Sequence, residues 1–235
     1  MREIIFDTET TGLSPDSGDR VIEIGAVELE NGFPTGRSFH VYINPDGRKV
    51  HPDALRVHGI TDEFLSEKPG FRSIATEFAE FIDGARLVAH NASFDMGFIN
   101  AELARLGQPP VPGERVIDTL QLARRKHPMG PNSLDALCAR YGVDNSHRTR
   151  HGALLDAELL AEVYIELIGG KQAALVLDTA NSTSISVTGE SEIVISSRRQ
   201  RLVPLAPRLD AETVQRHAAF IATLGDGAVW KRYPS

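Results

Sequence analysis

The 235-residue sequence predicts an α/β protein: a mixed five-stranded sheet flanked by helices, then a flexible linker and a short helical C-terminal tail. Three runs of strand-forming residues near the N-terminus are joined by short turns, which is typical of an antiparallel meander. Two further short apolar runs alternate with stretches of helical periodicity, so helices are expected to cover the sheet. After residue 177 the composition changes to Ser, Thr and short β-branched runs without durable periodicity, which indicates a linker.

The individual elements follow in chain order. The first strand starts at Ile4, and the other predicted strands are residues 21–29, 39–43, 87–89 and 116–117. Asn31-Gly32 is a turn signal between the second and third strands. Two helical stretches separate the third strand from the fourth, the second of them at residues 73–82. The later predicted helices are residues 94–106, 120–123, 134–141 with Ser133 as N-cap, 154–168 and one that begins at Asp210.

The composition, 41% hydrophobic and 24% charged, is that of a soluble globular protein. No apolar run approaches the roughly 20 residues that span a bilayer, and the N-terminus lacks a signal-peptide pattern, so we expect a cytoplasmic protein. The single cysteine, Cys138, excludes an internal disulfide and a cysteine-rich zinc site, and its apolar neighbours predict a core thiol. A net charge of -7 argues against binding nucleic acid mainly by phosphate neutralisation, but it is compatible with a metal-dependent enzyme that acts on nucleic acid.

Two carboxylates stand at the end of the first strand. Side chains alternate between the faces of a strand, so Asp7 and Glu9 project to the same side. Neighbouring carboxylates repel each other unless a proton or a cation neutralises them. Hard divalent cations such as Mg²⁺ prefer carboxylate oxygen, so this pair is a candidate metal site. The alternative is a solvated strand end that precedes a Thr-Gly turn.

Two aspartates further along the chain pose the same question. Asp95 follows the fourth predicted strand and opens a helix, at the kind of sheet edge where α/β proteins build sites. Asp156 lies on the apolar stripe of the long helix with Leu160 and Val163, where an unpaired carboxylate is costly. No Lys or Arg lies within a turn of it on that face, so its partner must be a cation or the backbone N–H groups near the helix start.

The four acids fall where the chain crosses the top of the sheet. Two divalent ions about 3.5 to 4 Å apart, bridged by carboxylates, are the usual device for in-line attack on a phosphodiester. The attacking water needs a base, and imidazole titrates near neutrality. His151, five residues before Asp156, and His147 in the same loop both qualify by residue type, and an exposed loop histidine is the alternative for either.

Three segments resemble the exonuclease motifs of the DEDD superfamily, in its histidine-containing branch. They are Asp7-x-Glu9, Asp95 within His-Asn-Ala-Ser-Phe-Asp, and His151-x-x-x-x-Asp156. Within that branch the chain closely resembles the family of epsilon proofreading subunits of bacterial DNA polymerase III. The runs that carry this closer resemblance are residues 6–12, 57–60, 132–141 and 151–156, and the match covers about residues 1–170.

The resemblance implies a ribonuclease H-like fold and release of nucleoside 5′-monophosphates from a DNA 3′ end with two catalytic Mg²⁺ or Mn²⁺ ions. The implied metal ligands are Asp7, Glu9, Asp95 and Asp156. The implied general base is His151 rather than His147. Among the ligands, Asp7 is expected to bridge both ions, while Glu9 holds one ion and contacts the terminal nucleotide.

Further contacts to the terminal nucleotide are implied by position. Thr10 is expected beside the sugar of this nucleotide, and His58 and Asp53 are expected to contact the nucleotide. The substrate-binding residues implied in addition are Asp7, Glu9 and Asp156. Asp53 stands where the family pattern has a glutamate, so its side chain is one methylene shorter.

The resemblance also implies three functional parts and their partners. They are an exonuclease domain at residues 1–177, a flexible linker at 178–203 and a polymerase-docking tail at 204–235. The segment 172–177 is similar to the family's clamp-binding segment, with Gln172, Leu175 and Leu177 as contacts, although a short apolar strand after a helix is the alternative. The tail helix, with its apolar face and the lone Trp230 beyond it, is expected to dock on the polymerase alpha subunit in the bacterial cytosol.

Two competing functions remain. An exoribonuclease of the ribonuclease T or oligoribonuclease type has the same core but lacks a linker and docking tail. A catalytically silent scaffold that bridges polymerase and clamp is the other, and the presence of all five catalytic-type residues argues against it.

Overall fold

The computed structural model describes residues 1–148, 150–169 and 210–224. Its contacts divide the chain into two units, Met1–Leu177 and Asp178–Ser235. The predicted clamp-binding segment, the linker and the tail on both sides of residues 210–224, including Trp230, lie outside the described residues. In the described part of the chain, no helix is both long enough and apolar enough to cross a membrane.

A five-stranded mixed sheet, in the order β3-β2-β1-β4-β5, forms the centre of the first unit, as predicted. The strands are β1 (Arg2–Thr10), β2 (Val21–Glu30), β3 (Phe33–Tyr42), β4 (Arg86–Ala89) and β5 (Val116–Asp118). β1 pairs antiparallel with β2 and parallel with β4, and β4 pairs parallel with β5. β3 starts at Phe33 rather than residue 39, because Asn31 and Gly32, both at positive φ, form the tight turn that closes the hairpin at once.

Helices cover both faces of this sheet. They are α1 (Pro52–His58), α2 (Asp62–Ser66), α3 (Phe71–Ile82), α4 (Ser93–Arg105), α5 (Thr119–Lys126), α6 (Leu134–Tyr141) and α7 (Ala153–Leu167), and the second unit contains α8 (Ala211–Thr223). Three helices, not the predicted two, separate β3 from β4. Gly59, at φ 74°, ends α1, and the Thr61 side chain caps α2 only two residues later.

The alternation of β1 places its apolar side chains in two cores. Ile4 and Phe6 pack with Phe78 of α3 and other buried residues of α3 and α4, whereas Ile5 packs on the opposite face with Leu160 of α7. Cys138 is fully buried in a third cluster, so the predicted core thiol is confirmed. The strand that carries the acidic pair is therefore held on both sides.

The parallel pairing of β1 and β4 brings their carboxyl ends to the same edge of the sheet. α4 begins directly after β4, so its first turn lies beside the end of β1. The first turn of α7 reaches the same place because β2 has a glycine, Gly25, directly opposite Asp7. A Cβ at Gly25 would lie closer than 3.0 Å to the backbone of Ala153 and Leu154, so only glycine permits this approach.

Candidate active site

A cavity of about 660 Å³ opens where the ends of β1 and β4 meet the first turns of α4 and α7. The structure brings five of the residues singled out from the sequence to its lining: Asp7, Glu9, Asp95, His151 and Asp156. His147 is exposed and does not line this cavity. Residues separated by almost 150 positions in the chain therefore face one space.

The acidic pair of β1 is crowded by other carboxylates. Burial, followed by the charges of Glu23, Asp156 and Asp95, raises the pKa of Glu9 from its usual value of 4.5 to about 8. Burial also raises the pKa of Asp7 well above its usual value, and the charges of Asp95, Glu9 and Asp156 raise it further. Without a cation, these carboxyl groups therefore hold protons at pH values where ordinary carboxyl groups are ionised.

Asp95 is fixed by the strand next to it. Its Oδ1 atom accepts hydrogen bonds from the Thr8 hydroxyl at 2.7 Å and from the Thr8 backbone N–H at 3.1 Å. Burial raises the pKa of Asp95, and the two Thr8 hydrogen bonds partly oppose this by stabilising the charged form. Thr8 thus holds one oxygen of Asp95 in place.

Asp156 is buried in the first turn of α7, and its two oxygens differ. Oδ2 lies 2.6 Å from Nη2 of Arg148 and 3.2 Å from Nδ1 of His151. Oδ1 is buried and has no hydrogen-bond partner among the described residues. The partner that the sequence analysis required is thus supplied by the loop before the helix, not by the helix face.

Three side chains of the cavity offer donor atoms suited to one cation. Single ligand atoms of Glu9, His151 and Asp156 all lie within 4.8 Å of one another. Carboxylate oxygen together with imidazole nitrogen suits divalent cations such as Mn²⁺, and carboxylate oxygen suits Mg²⁺. The residues present therefore fit a divalent cation, and the partnerless Oδ1 of Asp156 is consistent with one.

The three residues expected around the nucleotide lie outside this lining. The Thr10 hydroxyl donates to the Gly12 carbonyl at 2.6 Å. Asp53 is exposed, pairs with Arg56 and lines a neighbouring cavity of about 360 Å³. His58 is buried, its Nδ1 accepts from the Ile60 N–H at 3.0 Å, and its Nε2 has no partner among the described residues.

The remaining wall of the cavity was not anticipated from the sequence. It includes His90, Asn91, Arg124, Asn132, Asp135 and Arg148. The basic loop at residues 145–150 carried the one usable signal, because a buried aspartate without a cation on its own helix face requires one from elsewhere. The other wall residues lie in turns or near helix ends, where periodicity does not predict the direction of a side chain.

The fold and the cavity define a class: nucleases of the ribonuclease H-like type, in which carboxylates gather at the ends of neighbouring strands. The family model described as exonuclease matches residues 4–164. The chain is 46% identical over 228 residues to DNA polymerase III subunit epsilon of Rickettsia felis, covering 95% of this chain and 97% of that protein. It is 44% identical over 246 residues to DNA polymerase III subunit epsilon of Escherichia coli K12, and the alignment covers 98% of this chain and 97% of that protein.

Solved structures show the same fold. Exonuclease X in complex with 5′ overhanging duplex DNA has a TM-score of 0.55 at 29% identity, covering 72% of this chain and 91% of that one. The nuclease domain of 3′hExo, a DEDDh family member bound to rAMP, has a TM-score of 0.61 at 17% identity, covering 72% of this chain and 92% of that one. The chain belongs to the exonuclease family and is a 3′–5′ exonuclease of the DNA polymerase III epsilon-subunit type. The resemblance stated from the sequence motifs is confirmed.

Proposed function

We propose that the chain is the proofreading exodeoxyribonuclease of a replicative DNA polymerase. It hydrolyses the 3′-terminal phosphodiester of mismatched primer ends and releases nucleoside 5′-monophosphates. The observation that carries the proposal is Oδ1 of Asp156, a buried carboxylate oxygen without a partner among the described residues, in a cavity shared with four more carboxyl groups, three of them those of Asp7, Glu9 and Asp95. A buried polar atom without a hydrogen-bond partner costs free energy, and gathered carboxyl groups raise one another's pKa, so a bound cation would offset both costs.

Two divalent cations, Mg²⁺ or Mn²⁺, are the proposed cofactors. Asp7, Glu9, Asp95 and Asp156 would hold them, and Asp7, whose pKa responds to all three other acids, is the one proposed to contact both. When bound, the cations neutralise charge on the scissile phosphate and lower the pKa of the attacking water.

His151 is the proposed general base. Its side chain is about half exposed, lines the cavity and lies beside Asp156, so it can take a proton from a water in the cavity and pass it to solvent. Contact between an imidazole nitrogen and a carboxylate orients the ring, which supports this role.

Nucleotide contacts by Thr10, His58 and Asp53 remain proposals. Nδ1 of His58 accepts from the Ile60 N–H, which leaves Nε2 as the donor for the proposed hydrogen bond to the nucleotide. The engagement of the Thr10 hydroxyl with Gly12 leaves its methyl group for packing. Asp53 must leave Arg56 to reach a substrate.

The proposed partners are a frayed DNA 3′ end, the polymerase alpha subunit and the sliding clamp. α8 supports docking of the tail, because Val214 and Phe220 are 51% and 60% exposed and no residue of this helix is buried among the described residues. The clamp contact at residues 172–177 rests on the sequence alone. With a net charge of -7, the chain is expected to rely on the polymerase to present primer ends.

The test is excision of a 3′-mismatched primer in Mg²⁺ by the full chain, with and without the alpha subunit. We expect mononucleotide release that disappears in Asp156→Asn, and faster excision in the complex. Activity in Asp156→Asn close to that of the wild-type chain would contradict the proposal. Preference for RNA over single-stranded DNA would favour the exoribonuclease alternative. Absence of metal-dependent mononucleotide release would favour the scaffold alternative.

A further inference from the structure

Arg148 places a cation inside the acidic cavity. Its side chain is only 8% exposed, although it belongs to the polar loop between α6 and α7. Nη1 lies 2.6 Å from Oδ1 of Asp135, and Nη2 lies 2.6 Å from Oδ2 of Asp156. Nη2 is also 2.6 Å from Nδ1 of His151. One guanidinium group therefore contacts two helix starts and the loop histidine.

The geometry of these contacts selects one oxygen of Asp156. Because Oδ2 accepts from Nη2 of Arg148 and lies beside Nδ1 of His151, Oδ1 is the atom left without a partner in the buried site. Asp135, at the other end of the guanidinium, is 60% exposed and lies in the first turn of α6. A planar guanidinium can span two carboxylates in this way, whereas a lysine ammonium is a point charge on a flexible stem.

We propose that Arg148 is a positioning residue of the active site. Its guanidinium anchors on Asp135, fixes Asp156 with Oδ1 available for a cation, and holds the loop that carries His151 against the same carboxylate. The inference rests on the proposed function, since it assigns a role toward the proposed cation site. Partners that orient metal-binding carboxylates typically contribute about 10- to 100-fold to metal affinity or activity, far more than an ordinary surface ion pair.

The experiment is a titration of the full chain with Mn²⁺ alone, followed by electron paramagnetic resonance without DNA. We expect Arg148→Gln and Arg148→Lys each to weaken Mn²⁺ binding by about 10-fold or more. Lysine keeps the charge but cannot bridge Asp135 and Asp156, so restoration of wild-type affinity by lysine would overturn the proposal. Unchanged or tighter Mn²⁺ binding in Arg148→Gln would overturn it as well, because the guanidinium would then merely compete with the cation.

Asp135→Asn gives a second test that does not disturb the buried pair. It is expected to weaken Mn²⁺ binding by about 3-fold, and to have no further effect when Arg148→Lys is already present, because both changes remove the same bridge. If the effects of the two changes on Mn²⁺ affinity were fully additive, the proposal that Asp135 anchors Arg148 would be contradicted. In steady-state excision, each variant is expected to lower kcat while the KM for an oligonucleotide stays within about twofold, since Arg148 is assigned no contact with the substrate.

Two controls separate this inference from the proposed function. Arg140→Gln changes an arginine of α6 that bonds Asn132 and the Pro131 carbonyl and, within the described part of the chain, no carboxylate, and it should leave Mn²⁺ affinity unchanged. Asp156→Asn tests the cation site itself. If Asp156→Asn abolishes Mn²⁺ binding while Arg148→Lys retains it, only the role of Arg148 is wrong. If Asp156→Asn binds Mn²⁺ and excises normally, the proposed function fails.

Discussion

Substituting Gly25 by alanine would place a methyl group between β2 and the first turn of α7. The added Cβ would lie closer than 3.0 Å to the backbone of both Ala153 and Leu154. Carbon atoms in contact prefer separations of about 3.5 to 4.0 Å. Because the opposing atoms belong to backbone, no rotamer change relieves the clash, and the start of α7 must retreat by roughly 1 to 2 Å.

This retreat would act on catalysis through Asp156, a proposed metal ligand that lies in the same first turn of α7. A misplacement of about 1 Å in an active site can lower the rate by about 100-fold. The strain of overpacking typically lowers the free energy of unfolding by about 1 to 3 kcal/mol, which for a chain of this size lowers the Tm by roughly 2 to 12 °C. We therefore expect a folded protein whose excision rate falls far more than its stability.

Thermal unfolding and 3′-end excision in Mg²⁺, measured on the same preparation, check this expectation. Gly97→Ala is the matched control, because a Cβ at that position in α4 meets nothing within 4 Å. Alanine inside a helix is more stable than glycine by about 0.5 to 1 kcal/mol, so the control should gain stability and keep its excision rate. Wild-type stability and excision in Gly25→Ala would refute the claim that this close approach positions Asp156.

Three further predictions concern single side chains of the cavity. The pKa of Glu9, about 8 in the folded chain against 4.5 ordinarily, contributes stability below pH 4.5 that is lost as pH rises through 8. Between pH 5 and 8, the free energy of unfolding in urea with EDTA should thus fall by several kcal/mol more for the wild-type chain than for Glu9→Gln, at about 1.4 kcal/mol per pKa unit. Mg²⁺ should reduce that fall. An equal pH dependence of the unfolding free energy in the two proteins would show that Glu9 does not titrate as a buried acid. Thr8→Val removes the 2.7 Å hydrogen bond to Asp95 and should lower stability by about 1 to 2 kcal/mol and kcat by about 10-fold, whereas wild-type kinetics would show that Asp95 needs no orienting group. His151→Ala should slow excision at neutral pH and recover partly at high pH, where hydroxide replaces the base; an unchanged neutral rate would rule out that role.

The sheet was predictable because the signals that define it are local. Period-two alternation in β1, the Asn31-Gly32 turn and the helical periodicity of α3, α4 and α7 each specify an element without tertiary information. The short helices α1 and α2 escaped separate assignment because they have few buried positions and are separated by three residues. Helices of this length owe their formation to caps and tertiary contacts more than to periodicity.

The candidate site was predictable where residue type and position suffice. The burial of Asp156 on an apolar stripe follows from its spacing, and its need for a partner follows from electrostatics. That Arg148 is the partner depends on the path of a loop, which sequence patterns leave open. The importance of Gly25 depends on strand register, because only pairing with Asp7 makes it the point where α7 approaches.

Anomalous diffraction from crystals grown with Mn²⁺ and a nucleoside 5′-monophosphate tests the central claim most directly. We expect two manganese peaks about 4 Å apart inside the cavity, with Asp7 in contact with both and the partnerless Oδ1 of Asp156 bound to one. Manganese peaks found only outside the cavity, or no peaks at all at saturating Mn²⁺, would contradict it.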